Sequence, residues 1–404
     1  MSRTAPRILF ISHDSSRTGA PIGLLAFMQW LRANVSCHIG TILRAPGPLE
    51  AAFRELGSTL TLGTSILSRS RIGRRVRSLL PQTIQLESGR VRRFFEQGNY
   101  DLIYSNTVTN GAILECLAPS GVPVVTHVHE LAYWIWRSGR ENLERMLSST
   151  TTFVAVSEAV RLNLIQNHGI PSSKIAVVYE HIRDLPPIPT ASEKESARAK
   201  LGLSKGALVV GGCGAEHWRK GRDLIPQLLV ALRKLEPELN IHFVWIGRMG
   251  TREEEFTLRH DLELAGVEAR FHASGEVSDP FAMYAALDVF ALLSRDDPYP
   301  LACLEAAATE KPVVCFERAG GMPEFVRDGC GIVVPYLDIE AMARGIITLV
   351  SQPDIAGAFG RRAREKVKRE NTLETTGPQL LSIIEAATGA TCGGAVYHEE
   401  QQVK

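Results

Sequence analysis

The sequence predicts an α/β protein made of two doubly wound domains in tandem. Three observations carry this. Short apolar runs alternate with longer amphipathic segments along most of the chain, the pattern of a parallel sheet covered by helices. The alternation breaks once, at Asp184–Pro189, where prolines at 186, 187 and 189 can continue neither a helix nor a central strand. The chain has 404 residues, 45% of them hydrophobic, enough for two cores.

The elements follow in order. Arg7–Ser12 reads as the first strand, and a polar turn, Ser15–Gly19, leads into a helix over roughly Pro21–Ala33. Val35–Leu43 reads as the second strand. Further strands are expected at Leu102–Ser105, Val122–His127 and Thr152–Val156, each followed by a helix, with Ser157-Glu158 as a cap opening one of them. Past the prolines, Ser192–Leu201 is charged and helix-prone. A second alternation then starts at Ala207–Gly212. It continues with strands at Ile241–Ile246, Ala269–Phe271, Val289–Leu293, Pro312–Cys315 and Gly331–Val334. In sheets of this kind ligands bind at the carboxyl ends of the strands.

Composition narrows the function classes. Residues 1–183 hold 20 basic residues against 12 acidic ones, and the remainder holds 25 against 32. Either the two halves meet different partners, or the split is an accident of composition. The seven cysteines form no close pair, which excludes a recognisable zinc or dithiol pattern and fits a reducing compartment. The N-terminus runs directly into a strand, without the apolar stretch of a signal peptide. No run approaches the roughly 18 apolar residues of a membrane span. The chain is therefore expected to be soluble and cytoplasmic, and to bind no nucleic acid. The segment Ser68–Arg93 holds eight arginines and one acid, Glu87, with apolar residues at helical spacing. It suits a basic helix on an anionic membrane, at the inner face of the plasma membrane, or equally a solvated charged face.

The chemistry-bearing residues cluster in the second half. In Ser294-Arg-Asp-Asp-Pro-Tyr-Pro-Leu-Ala-Cys-Leu-Glu305, Pro300 suits the first turn of a helix. The N–H groups of Leu301 and Ala302 then point out of the helix start, a site for phosphate. Glu305 falls one turn further in, placed to accept ribose hydroxyls. Asp297 lies just before the helix, placed to hold a sugar hydroxyl. Alone, both acids could merely cap and solvate the helix. The strand Pro312–Phe316 leads to Gly320-Gly321, which allow positive φ and close backbone approach to a ligand. Glu324 follows at the next helix start. Upstream, Arg219 and Lys220 follow a strand and a glycine-rich turn, where they could neutralise a diphosphate leaving group. The spacing is not that of a dinucleotide fingerprint, which argues against a nicotinamide-dependent oxidoreductase. In the first half, His127, His129 and Glu130 stand at a strand's carboxyl end, positioned to meet a ligand.

Together these segments resemble glycosyltransferase family 4, the large group of retaining GT-B enzymes. The resemblance covers nearly the whole chain and is most specific from Val210 to Val334. Glu305 matches the second of the family's two glutamates, and Asp297 stands at the first. Lys220 matches the family's phosphate-binding lysine. The arginine usual five positions earlier is Ala215 here, with Arg219 and His217 nearby. Gly19 and Ala20 resemble the N-terminal glycine-rich loop that faces the donor phosphates, and His129 resembles the first-domain histidine near the transferred sugar.

The resemblance implies two Rossmann-like domains facing across a cleft. Their expected bounds are 1–183 for the first domain, 184–205 for a linker and 206–366 for the second. Residues 367–390 form a helical segment returning to the first domain, and 391–404 a polar tail. It also implies transfer of a hexose from a nucleotide diphosphate sugar to a saccharide acceptor, lipid-linked, in bacterial surface polysaccharide assembly, with retention, no metal and no cofactor. The donor is then held by Gly19, Ala20, Arg219, Lys220, Asp297, Leu301, Ala302, Glu305, Gly320, Gly321 and Glu324. His129, Lys220 and Asp297 act in catalysis, and His127, His129 and Glu130 lie on the acceptor side. The competing readings are a sugar-nucleotide epimerase on the same fold and a non-catalytic nucleotide-sugar-binding protein.

Overall fold

In the computed structural model, which describes residues 5–63, 81–215, 217–277 and 279–389, the chain divides into two compact units. The first takes the residues up to Val156, Val160–Val178 and those from Leu373 onward; the second takes Ser157–Ala159 and Tyr179–Thr372.

The first unit is a seven-stranded parallel sheet: β1 (Arg7–Ser12), β2 (His38–Leu43), β3 (Ser58–Thr61), β4 (Leu102–Ser105), β5 (Val124–Val128), β6 (Thr152–Ala155) and β7 (Ile175–Val177). Their spatial order is β3-β2-β1-β4-β5-β6-β7. Ile8–Ile11 of β1 are fully buried, so the strand reads as an unbroken apolar run, as strands covered on both faces do. The helix Gly19–Asn34 turns Leu24, Phe27, Met28 and Leu31 to the sheet, the i, i+3, i+4, i+7 stripe of a core-facing helix. Val35, expected to open the second strand, caps this helix instead through its N–H to the Leu31 carbonyl, so β2 starts at His38. The C-terminal helix Leu373–Thr388 packs against Gly19–Asn34 and adds Leu373, Leu380 and Ile384 to the core. Each such side chain stabilises by about 1.5–3 kcal/mol when fully buried. A Cβ at Gly377 would come within 2.7 Å of the Trp30 ring, so only glycine permits this approach.

The second unit is a six-stranded parallel sheet: β8 (Leu208–Cys213), β9 (Ile241–Ile246), β10 (Phe271–Gly275), β11 (Val289–Leu292), β12 (Val313–Phe316) and β13 (Gly331–Val334). Its order is β10-β9-β8-β11-β12-β13. Both sheets thus start in the middle, run to one edge and return past the first strand, the doubly wound topology.

Further expectations need correction in detail. Ala269–Phe271 is not a strand: Glu268–Arg270 form a 3-10 turn and β10 begins at Phe271. Pro300 caps its helix rather than occupying its first turn, with φ −69° and ψ 122°. The segment expected as a linker, 184–205, contains the helix Ala191–Lys200, opened by a capping box of Thr190 and Glu193. Lys194 and Arg198 tie that helix to Asp288, each at 2.7 Å. Residues 64–80 and the polar tail lie outside the described residues, and with them five of the eight arginines of the stretch Arg69–Arg93. Among the described residues no helix is long and apolar enough to cross a membrane.

Candidate active site

In the second unit the site is assembled from three strand ends. Past β8 the chain makes a 3-10 turn, Trp218–Lys220, capped by His217. Gly221 follows with φ +70°, and a Cβ there would lie 1.9 Å from the Leu293 carbonyl oxygen. This glycine lets the turn lie against the segment after β11. Lys220 and Arg219 are thereby brought onto Asp297: Lys220 Nζ donates to Asp297 Oδ2 at 2.6 Å and Arg219 to Oδ1 at 3.2 Å. Ser294 Oγ also donates to Oδ2, at 2.8 Å. Burial of Asp297 pushes its pKa up, but the charges of Lys220 and Arg219 outweigh it and hold the carboxyl below the usual range.

The helix Leu301–Ala308 starts immediately afterwards. As at any helix start, the N–H groups of Leu301 and Ala302 lack an intrahelical acceptor. Glu305, half-buried in the second turn, accepts the Tyr284 hydroxyl on Oε2 at 2.9 Å. Its Oε1 accepts no hydrogen bond among the described residues. Burial raises the Glu305 pKa. Tyr284 is fully buried and also meets the Cys213 thiol. Cys213 ends β8 and feels both the Glu305 and the Lys220 charges, while burial pushes it up to about 11. Lys220, Asp297 and Glu305 therefore belong to one cluster around the end of β8.

The double glycine makes a close backbone approach within the chain itself. Gly320 has φ +137°, and a Cβ there would stand 1.7 Å from the Asp297 carbonyl oxygen; one at Gly321 would stand 2.4 Å from that of Pro298. The close backbone approach is made by Asp297–Pro298 of the same chain, which Gly321 N–H fastens at 2.9 Å. Glu324 is likewise engaged: its two oxygens accept the N–H groups of Glu158 and Ala159 at 3.0 and 2.8 Å. Gly320 and Gly321 place Asp297, and Glu324 fastens the turn at Glu158–Ala159.

In the first unit His127 and His129 sit at the end of β5 with ring centroids 4.1 Å apart. His127 Nδ1 lies 2.7 Å from the Tyr104 hydroxyl, and His129 Nε2 lies 3.0 Å from Asn106 Oδ1. Asn106 in turn donates to the Ala20 carbonyl at 2.8 Å. That bond ties the start of the helix Gly19–Asn34, where Gly19 is exposed, to the histidine loop. Glu130 is buried and organises the loop: it accepts the Thr107 hydroxyl and the N–H groups of His129 and Val108. Asn106, Tyr104, Tyr284, Ser294 and Arg295 were not singled out from sequence. Asn106 and Ser294 carried a usable signal, each a polar residue directly after an apolar strand.

The family descriptions Glycosyltransferase Family 4 and Glycosyl transferases group 1 match residues 37–183 and 193–366. The chain is 30% identical over 332 residues to a D-inositol 3-phosphate glycosyltransferase of Saccharomonospora viridis, covering 76% of this chain and 75% of that one. It is 25% identical over 281 residues to a GDP-mannose-dependent monoacylated alpha-(1-6)-phosphatidylinositol monomannoside mannosyltransferase of Corynebacterium glutamicum, covering 66% and 70%. The solved structure of Anabaena HepE in complex with UDP and glucose superposes with a TM-score of 0.76 at 20% identity, covering 94% of this chain and 100% of that one. This last likeness bears on the fold alone. With both sheets wound as the GT-B fold requires and both family descriptions matched in order, the chain belongs to glycosyltransferase family 4.

Proposed function

We propose that the chain transfers a hexose-type sugar from a nucleotide diphosphate sugar to a saccharide acceptor, with retention of configuration and without a metal. The observation that carries this is the convergence of Lys220 and Arg219 on Asp297 beside the helix start at Leu301. Two cations and a set of outward N–H groups are fixed where a departing diphosphate would need neutralising. Glu305, with Oε1 still available, takes the ribose of the nucleoside. Asp297 is a poor candidate for a covalent glycosyl intermediate. Its side chain is 6% exposed, and three donors occupy its oxygens. Attack from the face of departure, guided by the leaving group, fits this arrangement better than the two-carboxylate scheme of retaining glycosidases. His129, oriented by Asn106, serves the transferred sugar, and the first unit takes the acceptor.

The relatives act on inositol phosphate and on an acylated phosphatidylinositol mannoside, as their names state. An acceptor bearing phosphate or lipid phosphate, in assembly of a bacterial surface polysaccharide, follows by analogy with them. The net basic first half of the chain supports it. The test is a thermal-shift panel of nucleoside diphosphates and their sugars, followed by product analysis with the stabilising donor. Retained anomeric configuration in the product supports the reading. Inversion overturns the mechanism. Tight diphosphate binding without turnover on any phospholipid-linked or free saccharide makes the chain a binding protein.

A further inference from the structure

We infer that Arg295 is a positioning residue that sets the diphosphate affinity of the site without touching the ligand, by clamping the turn that carries Arg219 and Lys220. The inference rests on the reading that these two cations meet the donor diphosphate.

Arg295 grips the turn from both ends. Its N–H groups bind Asp223 in a two-pronged pair, 2.8 Å to Oδ1 and 2.7 Å to Oδ2. The first prong also donates to the Trp218 carbonyl at 2.7 Å. The guanidinium lies 5.8 Å from the centre of the Trp218 ring. Its own backbone N–H donates to the Arg219 carbonyl at 2.6 Å. One residue thus holds positions 218, 219 and 223 from a point two residues before Asp297. The Arg295 side chain is 16% exposed, whereas its partner Asp223 is 60% exposed. Solvent around Asp223 screens the pair and limits what it adds to stability, while the contacts of Arg295 all converge on one turn. They account for geometry: a 3-10 turn of three residues has few internal bonds, yet its two cations must meet a diphosphate within a fraction of an ångström. Lysine cannot replace the clamp, because an ammonium lacks the planar fork that serves two carboxylate oxygens at once.

The test uses the full chain and inorganic pyrophosphate as the probe, titrated calorimetrically at fixed ionic strength. Arg295→Ala and Arg295→Lys are each expected to weaken pyrophosphate binding at least about tenfold, the scale of a lost charged fork. The melting temperature should move little. Asp223→Ala is expected to act in the same direction, and adding it to Arg295→Ala should cost less than the sum of the two, because both break one clamp. With a donor substrate, KM should rise more than kcat falls. Lys220→Gln serves as the reference. If it weakens pyrophosphate binding while both Arg295 variants bind as the parent does, the clamp is refuted. Rescue by Arg295→Lys refutes it too, since charge alone then suffices. If Lys220→Gln leaves binding unchanged, the diphosphate reading fails and the clamp with it.

Discussion

Lys220 Nζ stands 2.6 Å from Asp297 Oδ2, with the two side chains 13% and 6% exposed. The pair is buried, shared with Arg219, and placed at the carboxyl end of a doubly wound sheet. A lysine held by a carboxylate in this way is preorganised, but it is also partly neutralised before any ligand arrives.

Asp297→Asn should therefore separate binding from chemistry. Removing the buried charge leaves two cations facing the site. A single charge a few ångströms away is worth up to about 4 kcal/mol at an effective dielectric of 20. Nucleoside diphosphate binding is expected to tighten about tenfold or more, while sugar transfer falls. Calorimetric titration beside a transfer assay reads both, and weaker diphosphate binding in the variant contradicts the expectation.

Lys220→Ala should abolish detectable transfer, a loss on the scale of about 10² to 10³ in kcat for one donor to a developing anion. Because it strips one partner from a buried carboxylate, it should also lower the melting temperature. The cost should stay below the roughly 3–5 kcal/mol of a broken buried pair, since Arg219 and Ser294 remain on Asp297. Full transfer activity with a lowered melting point would reduce Lys220 to a structural ion.

Glu305 has its pKa raised by burial, so the folded state holds a proton there at pH values where the unfolded chain has lost it. Stability tied to this group is present below the ordinary value of 4.5 and declines as pH rises through the elevated one. At neutral pH the buried charge is therefore a net cost to the fold, kept for what it binds. Glu305→Gln keeps an acceptor for the Tyr284 hydroxyl and should hold or raise the melting temperature at neutral pH while the donor KM rises. A drop in melting temperature would show the carboxylate to be structural.

His242 Nδ1 and His272 Nε2 are 2.9 Å apart on neighbouring strands β9 and β10. Burial lowers the pKa of both, and for His242 the His272 and Arg270 charges add to it. The stability they contribute is present above the ordinary 6.5 and is lost as pH falls through their depressed values. Melting temperature should fall as the pH drops below 6.5 in the parent, and less steeply in His242→Gln. Equal slopes remove the pair as the cause.

What sequence could and could not tell follows from the reach of each signal. Central strands such as β1, apolar without a break from Ile8 to Ile11, announce themselves. Edge strand β3, Ser58-Thr-Leu-Thr61, buries too little to differ from a loop, and β10 is obscured by His272, Ser274 and Gly275. The spacing of Asp297, Leu301 and Glu305 is local, so a helix start between two acids was legible. That Gly320, Gly321 and Glu324 meet residues 297–298 and 158–159 was not, because those contacts are made only once the sheet has formed. Tyr284 reaches Glu305 across two short helices 21 positions apart, and no periodicity links them.

The helix Leu373–Thr388 puts Leu373, Leu380 and Ile384 into the core of the unit that begins with β1. During synthesis, β1 through β7 must wait on the ribosome with that core open while roughly two hundred intervening residues are made, although amino-terminal units ordinarily close first. A chain stopped before Leu373 would leave an apolar gap beside Phe27 and Leu31. Expressing the amino-terminal half alone should therefore require the distant helix to be spliced back on.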